Sequence, residues 1–171
     1  WFFRDPERST PDTPNAIISS ADGEICLIDE AFPPKELGLE DISMKRVCIF
    51  MNVFNVHVNR SPIEGSVEKI SYKEGSFFNA SLDKASEKNE RNSLIIKTQN
   101  GAQIIVVQIA GLIARRILSF IKTGKYLSAG ERFGLIRFGS RVDIYMPKNT
   151  KIDIGLGDKV VAGETIIAHL K

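Results

Sequence analysis

The sequence predicts a mainly β fold, a β-rich α+β domain with one or two short helices. Short runs of β-branched and aromatic residues recur along its 171 residues. Gly, Asn, Asp or Pro residues bound these runs, as they bound strands in sheets that fold back through tight turns. Helical signals are confined to two short stretches, so we expect strands to build the core.

The strand pattern occupies segments spread over most of the chain, at 16–29, 46–60, 65–72, 93–99, 102–111, 134–147 and 165–170. The polar stretch 82–92 predicts a solvated helix or loop, and a turn or two of helix is predicted near 111–117. A long surface loop is expected at 33–41. Because no linker, repeat or change of composition divides the chain, we expect a single domain over residues 1–171.

The final segment, 150–170, places Gly157-Asp158 and Gly163-Glu164 at turn positions around Val160. This rhythm resembles the closing hairpins of barrel-sandwich hybrid domains, which include lipoyl and biotinyl carriers. The sheets are therefore expected to be barrel-sandwich-hybrid-like. A carrier lysine in a Met-Lys setting is missing, so a carrier function does not follow, but a non-catalytic binding module of this kind is one alternative.

Composition excludes few functions, but it disfavours nucleic acid as a partner. The chain has 23 Lys and Arg against 21 Asp and Glu, a formal charge of +2, and no polybasic run. The two cysteines, Cys26 and Cys48, are far apart and form no C-x-x-C motif. We expect both to be reduced core residues of a cytosolic or cytosol-facing protein.

The amino terminus suggests a membrane boundary. Three aromatic residues stand directly before Arg4, as at the interface where a membrane helix ends. We therefore expect a membrane anchor before residue 1, although an aromatic plug on the core would give the same pattern. Within the sequence, the most apolar stretch, 103–118, is interrupted by Gln108 and an arginine pair, so it falls short of the about 18 apolar residues of a membrane helix.

Few residues offer conventional catalytic chemistry. The chain has two histidines, His57 and His169, and the latter is expected at the surface. Asp22, His57 and Ser140 could form a Ser-His-Asp hydrolase. However, a nucleophile elbow reads G-x-S-x-G and leads into a helix, whereas Ser140 precedes a strand pattern. No histidine or carboxylate spacing predicts a metal site.

The Gly139-Ser140 bond is itself a candidate reaction site. If the serine hydroxyl attacks the preceding carbonyl, the amide becomes an ester, and elimination across Ser140 then cuts the chain. The dehydroalanine that remains loses ammonia and becomes a pyruvoyl group, a built-in electron sink. Glycine on the acyl side favours the attack because it has no Cβ to block it. A Gly-Ser pair is common, and a tight turn or bulge would also explain it.

Longer blocks give this bond its context. The segment IRFGSRVDIYMP resembles the processing site of pyruvoyl-dependent phosphatidylserine decarboxylases, in particular the small bacterial type with F-G-S-R. Further blocks resemble the same family in the same order: FFRDPER, SSADGEI, FNVHVNRSPIEG, GSFFNASLDKASEKNERN and VVQIAGLIARRI. The resemblance implies a β-rich fold and self-cleavage into a β chain, 1–139, and an α chain, 140–171. It also implies conversion of phosphatidylserine to phosphatidylethanolamine and carbon dioxide.

The resemblance assigns roles to individual residues. Ser140 matches the serine that becomes the pyruvoyl group, and Gly139 the new end of the β chain. Asp22 and a histidine match the groups that activate this serine. Many members have H-x-x-H-x-P, whereas here the second histidine is replaced by Arg60. His57 is therefore expected to serve both self-cleavage and catalysis, unless Arg60 supplies charge and Asp22 acts by another route.

The implied catalysis forms a Schiff base between the lipid amine and the pyruvoyl group, and His57 returns a proton to the α carbon. Candidate substrate-binding residues are Arg137, Arg141, Arg60, Asn59 and Phe78, although exposed strand arginines also keep sheet edges soluble and Phe78 could pack in the core. The implied partners are phosphatidylserine, a membrane surface and a second copy in a homodimer. The expected location is the cytoplasmic face of the cell membrane.

Overall fold

The fold is mainly β, as the sequence predicts. The computed structural model describes residues 4–39, 41–80, 85–112, 116–136 and 139–171. Within these ranges the chain forms fourteen strands, one short α-helix and one 3-10 turn. The β-rich class is therefore confirmed.

The elements follow one another in this order along the chain. The strands are β1 (Ala16–Ile18), β2 (Gly23–Ala31), β3 (Met44–Met51), β4 (Val58–Arg60), β5 (Gly65–Lys73), β6 (Arg91–Lys97), β7 (Gln103–Ile109), β8 (Ile117–Ser119), β9 (Tyr126–Leu127), β10 (Arg132–Ile136), β11 (Ser140–Met146), β12 (Lys151–Ile152), β13 (Lys159–Val160) and β14 (Ile166–His169). Helix α1 spans Ala85–Lys88, and the 3-10 turn spans Lys35–Leu37.

A curled eight-stranded sheet dominates the described part of the chain and forms a half-barrel. Its strand order is β13-β2-β3-β11-β7-β6-β5-β9. Two three-stranded sheets accompany it, with the orders β1-β14-β12 and β4-β10-β8. The paired strands within these sheets run antiparallel.

Strand β11 lies in the middle of the large sheet, between β3 and β7. Its first residues pair Ser140 with Met51 and Arg141 with Ile109. The end of β3, the end of β7 and the start of β11 therefore meet at one edge of the sheet. Because side chains alternate along a strand, Ser140 faces one side and Arg141 the other.

Two apolar clusters lie on the two faces of this sheet. The larger cluster includes Ile49, Ile104, Val106, Val142 and Ile144. The alternate residues of the same strands form the smaller cluster, with Leu37, Ile105, Val107, Ile109 and Tyr145. We call the face of the larger cluster the inner face and that of the smaller cluster the outer face. Ser140 is on the inner face.

The structure differs in part from two sequence predictions, the solvated stretch 82–92 and the buried cysteines. Stretch 82–92 is helical only over Ala85–Lys88 in its described part, and its second half is buried and enters β6 rather than being solvated. Asn89 and Asn92 are 1% and 3% exposed, because both amides hydrogen-bond inside the protein. Cys48 is a buried free thiol as expected, whereas Cys26 is exposed at the bulge of β2.

The sequence also predicts a turn or two of helix near 111–117. Residues 113–115 lie outside the described residues, and Ile117 begins strand β8. Within the described ranges, none of the helices combines the length and the apolar character that crossing a bilayer requires.

Candidate active site

Ser140 is a buried nucleophile candidate at the sheet edge. Its side chain is on the inner face and is 0% exposed. The hydroxyl oxygen lies 3.7 Å from Sδ of Met51, the residue paired with it on β3. A thioether sulfur is a weak hydrogen-bond acceptor. This contact therefore orients the hydroxyl, but little energy is needed to break it when the hydroxyl moves.

Gly139, the residue before this serine, has a backbone conformation that favours glycine. Its φ angle is +55°, in the left-handed region that side chains disfavour. The carbonyl oxygen of Gly139 packs directly against Gly111, at the end of β7. A Cβ atom on Gly111 would lie 1.7 Å from that oxygen. The carbonyl that Ser140 would attack is therefore seated in a notch that a second glycine provides.

Arg141 corrects one expectation about this site. It is 1% exposed, and its Nε and Nη2 atoms donate to the Asp143 carboxylate at 2.8 and 3.0 Å. Nη1 donates to the carbonyl oxygen of Ala80 at 3.2 Å. Burial is the largest single effect and lowers the Arg141 pKa, but the charge and hydrogen bond of Asp143, together with Cys48 and Cys26, raise this pKa overall. Arg141 is thus an internal anchor that faces away from Ser140 and is not an exposed strand arginine.

His57 is buried directly before β4. Its side chain is 4% exposed, and its carbonyl oxygen accepts a hydrogen bond of 3.2 Å from the Ile136 N–H. Ile136 ends β10, three residues before Gly139. The histidine therefore comes from the strand pair that leads into the Gly139-Ser140 bond. Arg137, a predicted substrate-binding residue, lies outside the described residues.

Asp22 links distant parts of the chain. Its Oδ2 atom accepts from Nη2 of Arg8 at 2.9 Å, and Oδ1 accepts from the N–H of Ala162 at 2.7 Å. The Arg60 N–H donates to the carbonyl oxygen of Ser20 at 3.0 Å, so the segment before Asp22 pairs with β4. The Asp22 carboxylate thus joins the amino-terminal segment to the carboxy-terminal part of the chain.

Arg60, at the position of the missing second histidine, is 6% exposed. Its guanidinium donates to the carbonyl oxygens of Gly130 and Pro6, both at 2.9 Å, and to Asp5 at 3.4 Å. Burial, and then the nearby charge of Arg132, lowers the Arg60 pKa. These contacts give Arg60 a bracing role between the amino-terminal segment and the turn before β10.

Three buried amide side chains form a hydrogen-bonded chain on the inner face. Asn92 Nδ2 donates to Gln108 Oε1 at 3.0 Å, and Gln108 Nε2 donates to Asn59 Oδ1 at 2.9 Å. The Asn59 amino group is left with longer contacts, 3.4 Å to the Ser20 carbonyl oxygen and 3.6 Å to Met51 Sδ. We call Asn92, Gln108 and Asn59 the amide chain. It directs the Asn59 amino group at the same sulfur that receives the Ser140 hydroxyl.

Phe78, predicted to meet acyl chains, is half-buried. The Asn89 side chain holds its backbone, accepting from the Phe78 N–H at 2.9 Å and donating to its carbonyl oxygen at 2.7 Å. The same Asn89 amino group donates to the carbonyl oxygen of Ala110 at 2.7 Å. Asn89 thus binds the Phe78 segment to the residue before Gly111.

Sequence reasoning missed Met51, Gly111, Gln108 and Asn92. Signals for two of them were present: Gln108 is a polar residue inside an apolar strand, and Gly111 ends that strand. Both features are also common at positions without a functional role. A single sequence does not give the strand register that brings these two residues to the Ser140 end of the sheet. His169 pairs with Asp153 near the chain end, in a different sheet from Ser140.

Comparison with known proteins gives consistent results. A family model described as phosphatidylserine decarboxylase matches residues 1–168. The chain is 56% identical over 171 residues to the phosphatidylserine decarboxylase proenzyme of Ruegeria pomeroyi, covering 100% of this chain and 78% of that protein. It is 60% identical over 167 residues to that of Azorhizobium caulinodans, covering 98% of this chain and 71% of that protein.

The Arg141-Asp143 pair should stabilise the fold strongly. Arg141→Met leaves the Asp143 carboxylate buried without this partner, and we expect a loss of about 3–5 kcal/mol in the free energy of unfolding. Urea unfolding of the Ser140→Ala background, which keeps the chain in one piece, measures this. Arg132→Met, which removes surface ion pairs to Asp5 and Glu7, is the control and should cost about 1 kcal/mol or less. Equal losses in the two variants would contradict the anchoring role.

The amide chain gives a second prediction. Gln108→Leu strands the buried amides of Asn59 and Asn92, at a cost of about 1–3 kcal/mol for each group. Gln103→Leu makes the same substitution at the exposed start of β7, where Gln103 bonds to Glu68, and should change stability little. Urea unfolding of both variants in the Ser140→Ala background compares them. If Gln108→Leu is as stable as Gln103→Leu, the chain of hydrogen bonds does not hold the inner face together.

Proposed function

Since this chain belongs to the phosphatidylserine decarboxylase family, we propose that it decarboxylates phosphatidylserine to phosphatidylethanolamine after cutting its own Gly139-Ser140 bond. Its relatives are named proenzymes, which implies processing. The observation that carries the choice of bond is the seating of its carbonyl in the Gly111 notch beside the buried Ser140 hydroxyl. Cleavage there yields a β chain of residues 1–139 and an α chain of residues 140–171.

The cleavage follows from the atoms at this bond. The Ser140 hydroxyl oxygen attacks the Gly139 carbonyl carbon, the C–N bond breaks, and the Ser140 nitrogen takes up a proton. A base then removes the Ser140 α proton, and the bond between Cβ and the oxygen breaks, which leaves the Gly139 carboxylate. The dehydroalanine tautomerises to an imine, and one water molecule hydrolyses it to a pyruvoyl group and ammonia. In total, one water is consumed and one ammonia is released.

The residues around Ser140 fit such a group. The position is buried, its acyl neighbour is a glycine in the left-handed region, and β11 is paired on both sides. The pyruvoyl group supplies a carbonyl that takes the substrate amine and accepts the electrons released with carbon dioxide. Arg141, bonded to Asp143 and Ala80, would hold the start of the α chain in place after the cut.

His57 is our candidate for proton transfer. An imidazole exchanges protons near neutral pH, and burial of His57 beside the end of β10 keeps water away from it. We propose that it assists removal of the Ser140 hydroxyl proton during cleavage and later returns a proton to the substrate. Asp22 would act differently. Its bonds to Arg8 and Ala162 suit a carboxylate that keeps the two chains aligned during maturation.

Substrate binding remains a proposal for Asn59, Phe78 and Arg137, of which Arg137 lies outside the described residues. Asn59 has the strongest support, because the amide chain directs its amino group toward the Ser140 side of Met51. Arg60 is occupied by backbone carbonyls, so we assign it to bracing. Phe78 is half-buried beside the Gly111 segment and could contact lipid chains.

The same edge carries exposed apolar side chains that suit a lipid surface. Phe54, after β3, is 64% exposed, and Leu112, after β7, is 61% exposed. Arg4 donates to the carbonyl oxygen of Phe54, and Arg116 is exposed. Apolar groups flanked by cations match an anionic membrane surface. We propose that this edge contacts the cytoplasmic face of the cell membrane; homodimer formation stays a prediction.

Replacement of the nucleophile tests the proposed bond. Ser140→Ala should give one uncut, folded and inactive chain, because the side-chain change is small but the attacking oxygen is gone. Denaturing electrophoresis and carbon dioxide release from phosphatidylserine vesicles measure both effects. Ser119→Ala, at an exposed serine on β8, is the control and should split and turn over like the unmodified chain. Decarboxylation by uncut Ser140→Ala would remove Ser140 from its role.

Replacement of His57 tests whether one imidazole serves both steps. His57→Ala should slow cleavage, and the fraction that matures should lose about a hundred- to ten-thousand-fold in turnover, as is typical for a lost general acid or base. Cleavage occurs once per molecule and therefore tolerates a slower step better than turnover does. Asp22→Asn should slow maturation and spare the activity of material already cut.

The measurement follows band splitting over days, isolates the mature fraction and assays carbon dioxide release per pyruvoyl group. His169→Ala is the control, since His169 lies in another sheet, and both cleavage and turnover should be unchanged. Turnover at the unmodified rate in mature His57→Ala would refute the shared role and redirect attention to Asn59 or Arg60.

A further inference from the structure

The carbonyl of Gly139 leaves no room for a side chain on Gly111. A Cβ atom on Gly111 would lie 1.7 Å from the Gly139 oxygen, 2.9 Å from its carbon and 3.2 Å from Cβ of Ala80. A non-bonded carbon does not approach an oxygen to 1.7 Å, so any side chain at position 111 must push the carbonyl or itself aside. The displaced group would be the one that Ser140 attacks.

Gly111 is held from behind and has little room to retreat. The Ala110 N–H donates to the carbonyl oxygen of Glu90 at 3.0 Å, and the Ala110 carbonyl oxygen accepts from Asn89 at 2.7 Å. Asn89 is 1% exposed and also binds both backbone groups of Phe78. The backbone before Gly111 is therefore fixed by two buried partners, Glu90 and Asn89.

The other side of the contact is equally fixed. Ser140 is paired with Met51 in the central strand, and Arg141 is locked by the Asp143 carboxylate and the Ala80 carbonyl oxygen. The Gly139-Ser140 peptide lies directly before this anchored strand, and glycine allows Gly139 a wide range of backbone angles. A side chain at position 111 would thus turn the carbonyl of Gly139 rather than shift a strand.

We propose that Gly111 is a positioning residue for self-cleavage. Its lack of a side chain seats the Gly139 oxygen, which sets the face that the carbonyl carbon presents to the Ser140 hydroxyl. The inference rests on the proposed cleavage at Gly139-Ser140. After the cut, Gly139 is a free chain end that can move away, so Gly111 is needed for maturation and much less for turnover.

Gly111→Ala should slow cleavage by about a hundred-fold, the loss typical of an attacking group misplaced by about 1 Å. Gly65→Ala is the matched control: a Cβ there would lie 2.5 Å from the carbonyl oxygen of Lys97, a similar conflict at the start of β5. We expect Gly65→Ala to lose stability but to cleave at the unmodified rate. Purified precursors are incubated, and splitting is followed by electrophoresis, with thermal unfolding showing that each variant is folded.

Turnover of the mature fraction separates positioning from general damage. Carbon dioxide release per α chain should be close to that of the unmodified enzyme in matured Gly111→Ala. Cleavage at the unmodified rate in folded Gly111→Ala, or an equal slowing in Gly65→Ala, would overturn the inference. If Gly111→Ala does not fold, Asn89→Ser loosens the anchor of Ala110 while leaving both glycines in place. Slower cleavage would then support the inference, and unchanged cleavage would overturn it.

The outcome for the unmodified chain keeps this test separate from the proposed function. If the unmodified chain is cut between residues 139 and 140 and Gly111→Ala is cut equally fast, the positioning role alone fails. If the unmodified chain is cut elsewhere or stays whole while folded, the proposed function fails, and with it the basis of this inference.

Discussion

The central position of β11 is the constraint on which the site depends. A strand paired on both sides cannot shift without breaking hydrogen bonds to two neighbours. The residues at its start therefore have fixed directions, with Ser140 toward the inner face and Arg141 toward the outer face. The Gly139-Ser140 bond lies where this rigid strand begins. After the proposed cut before Ser140, β11 would remain hydrogen-bonded between β3 and β7, and these bonds would hold the two chains together.

At this edge, the two faces of the sheet carry different kinds of side chain. On the outer face, Arg141 and Asp143 use their charges on each other and on a backbone carbonyl, so they hold the loop at Ala80 without facing the nucleophile. On the inner face, the Ser140 hydroxyl and the Asn59 amino group both contact the sulfur of Met51, and Gln108 orients the Asn59 amide.

The amino-terminal segment adds a second layer of restraint. Arg8 bonds to Asp22, directly before β2, and Asp5 bonds to Arg60, on the strand that follows His57. Most of these contacts are ionic and partly exposed, so their individual contributions are small. Together they connect the start of the chain, β4 and the Ala162 turn. The arginine at position 60 thus takes a mechanical role where many relatives of this family have a second histidine.

The sequence predicts the parts of this arrangement that depend on local pattern. Run 102–111 corresponds to β7, and run 134–147 covers the end of β10 and all of β11, since continuous apolar or alternating residues favour strands. Run 46–60 was expected as one strand, but it breaks at Asn52 and Asn55, whose side chains bond to nearby backbone N–H groups and form a turn.

The contacts that depend on strand register were harder to predict from the sequence. The burial of Arg141 had a signal, because Arg-x-Asp in a strand puts both charges on one face, but only the central position of β11 makes that face internal. The amide chain joins residues that are 16 and 49 positions apart in sequence, and the Gly111 notch joins two different strands, which no local pattern specifies. The motif around Ser140 predicts the reacting bond, and the tertiary structure shows which groups contact that bond.

The mass of the purified protein under denaturing conditions tests the central claim most directly. The account predicts two polypeptides, one ending with the carboxylate of Gly139 and the other beginning at position 140 with a pyruvoyl group in place of serine. Their combined mass should equal that of the intact chain plus one water minus one ammonia. A single folded polypeptide of full mass, or a second polypeptide that begins with an unmodified serine amine, would contradict it.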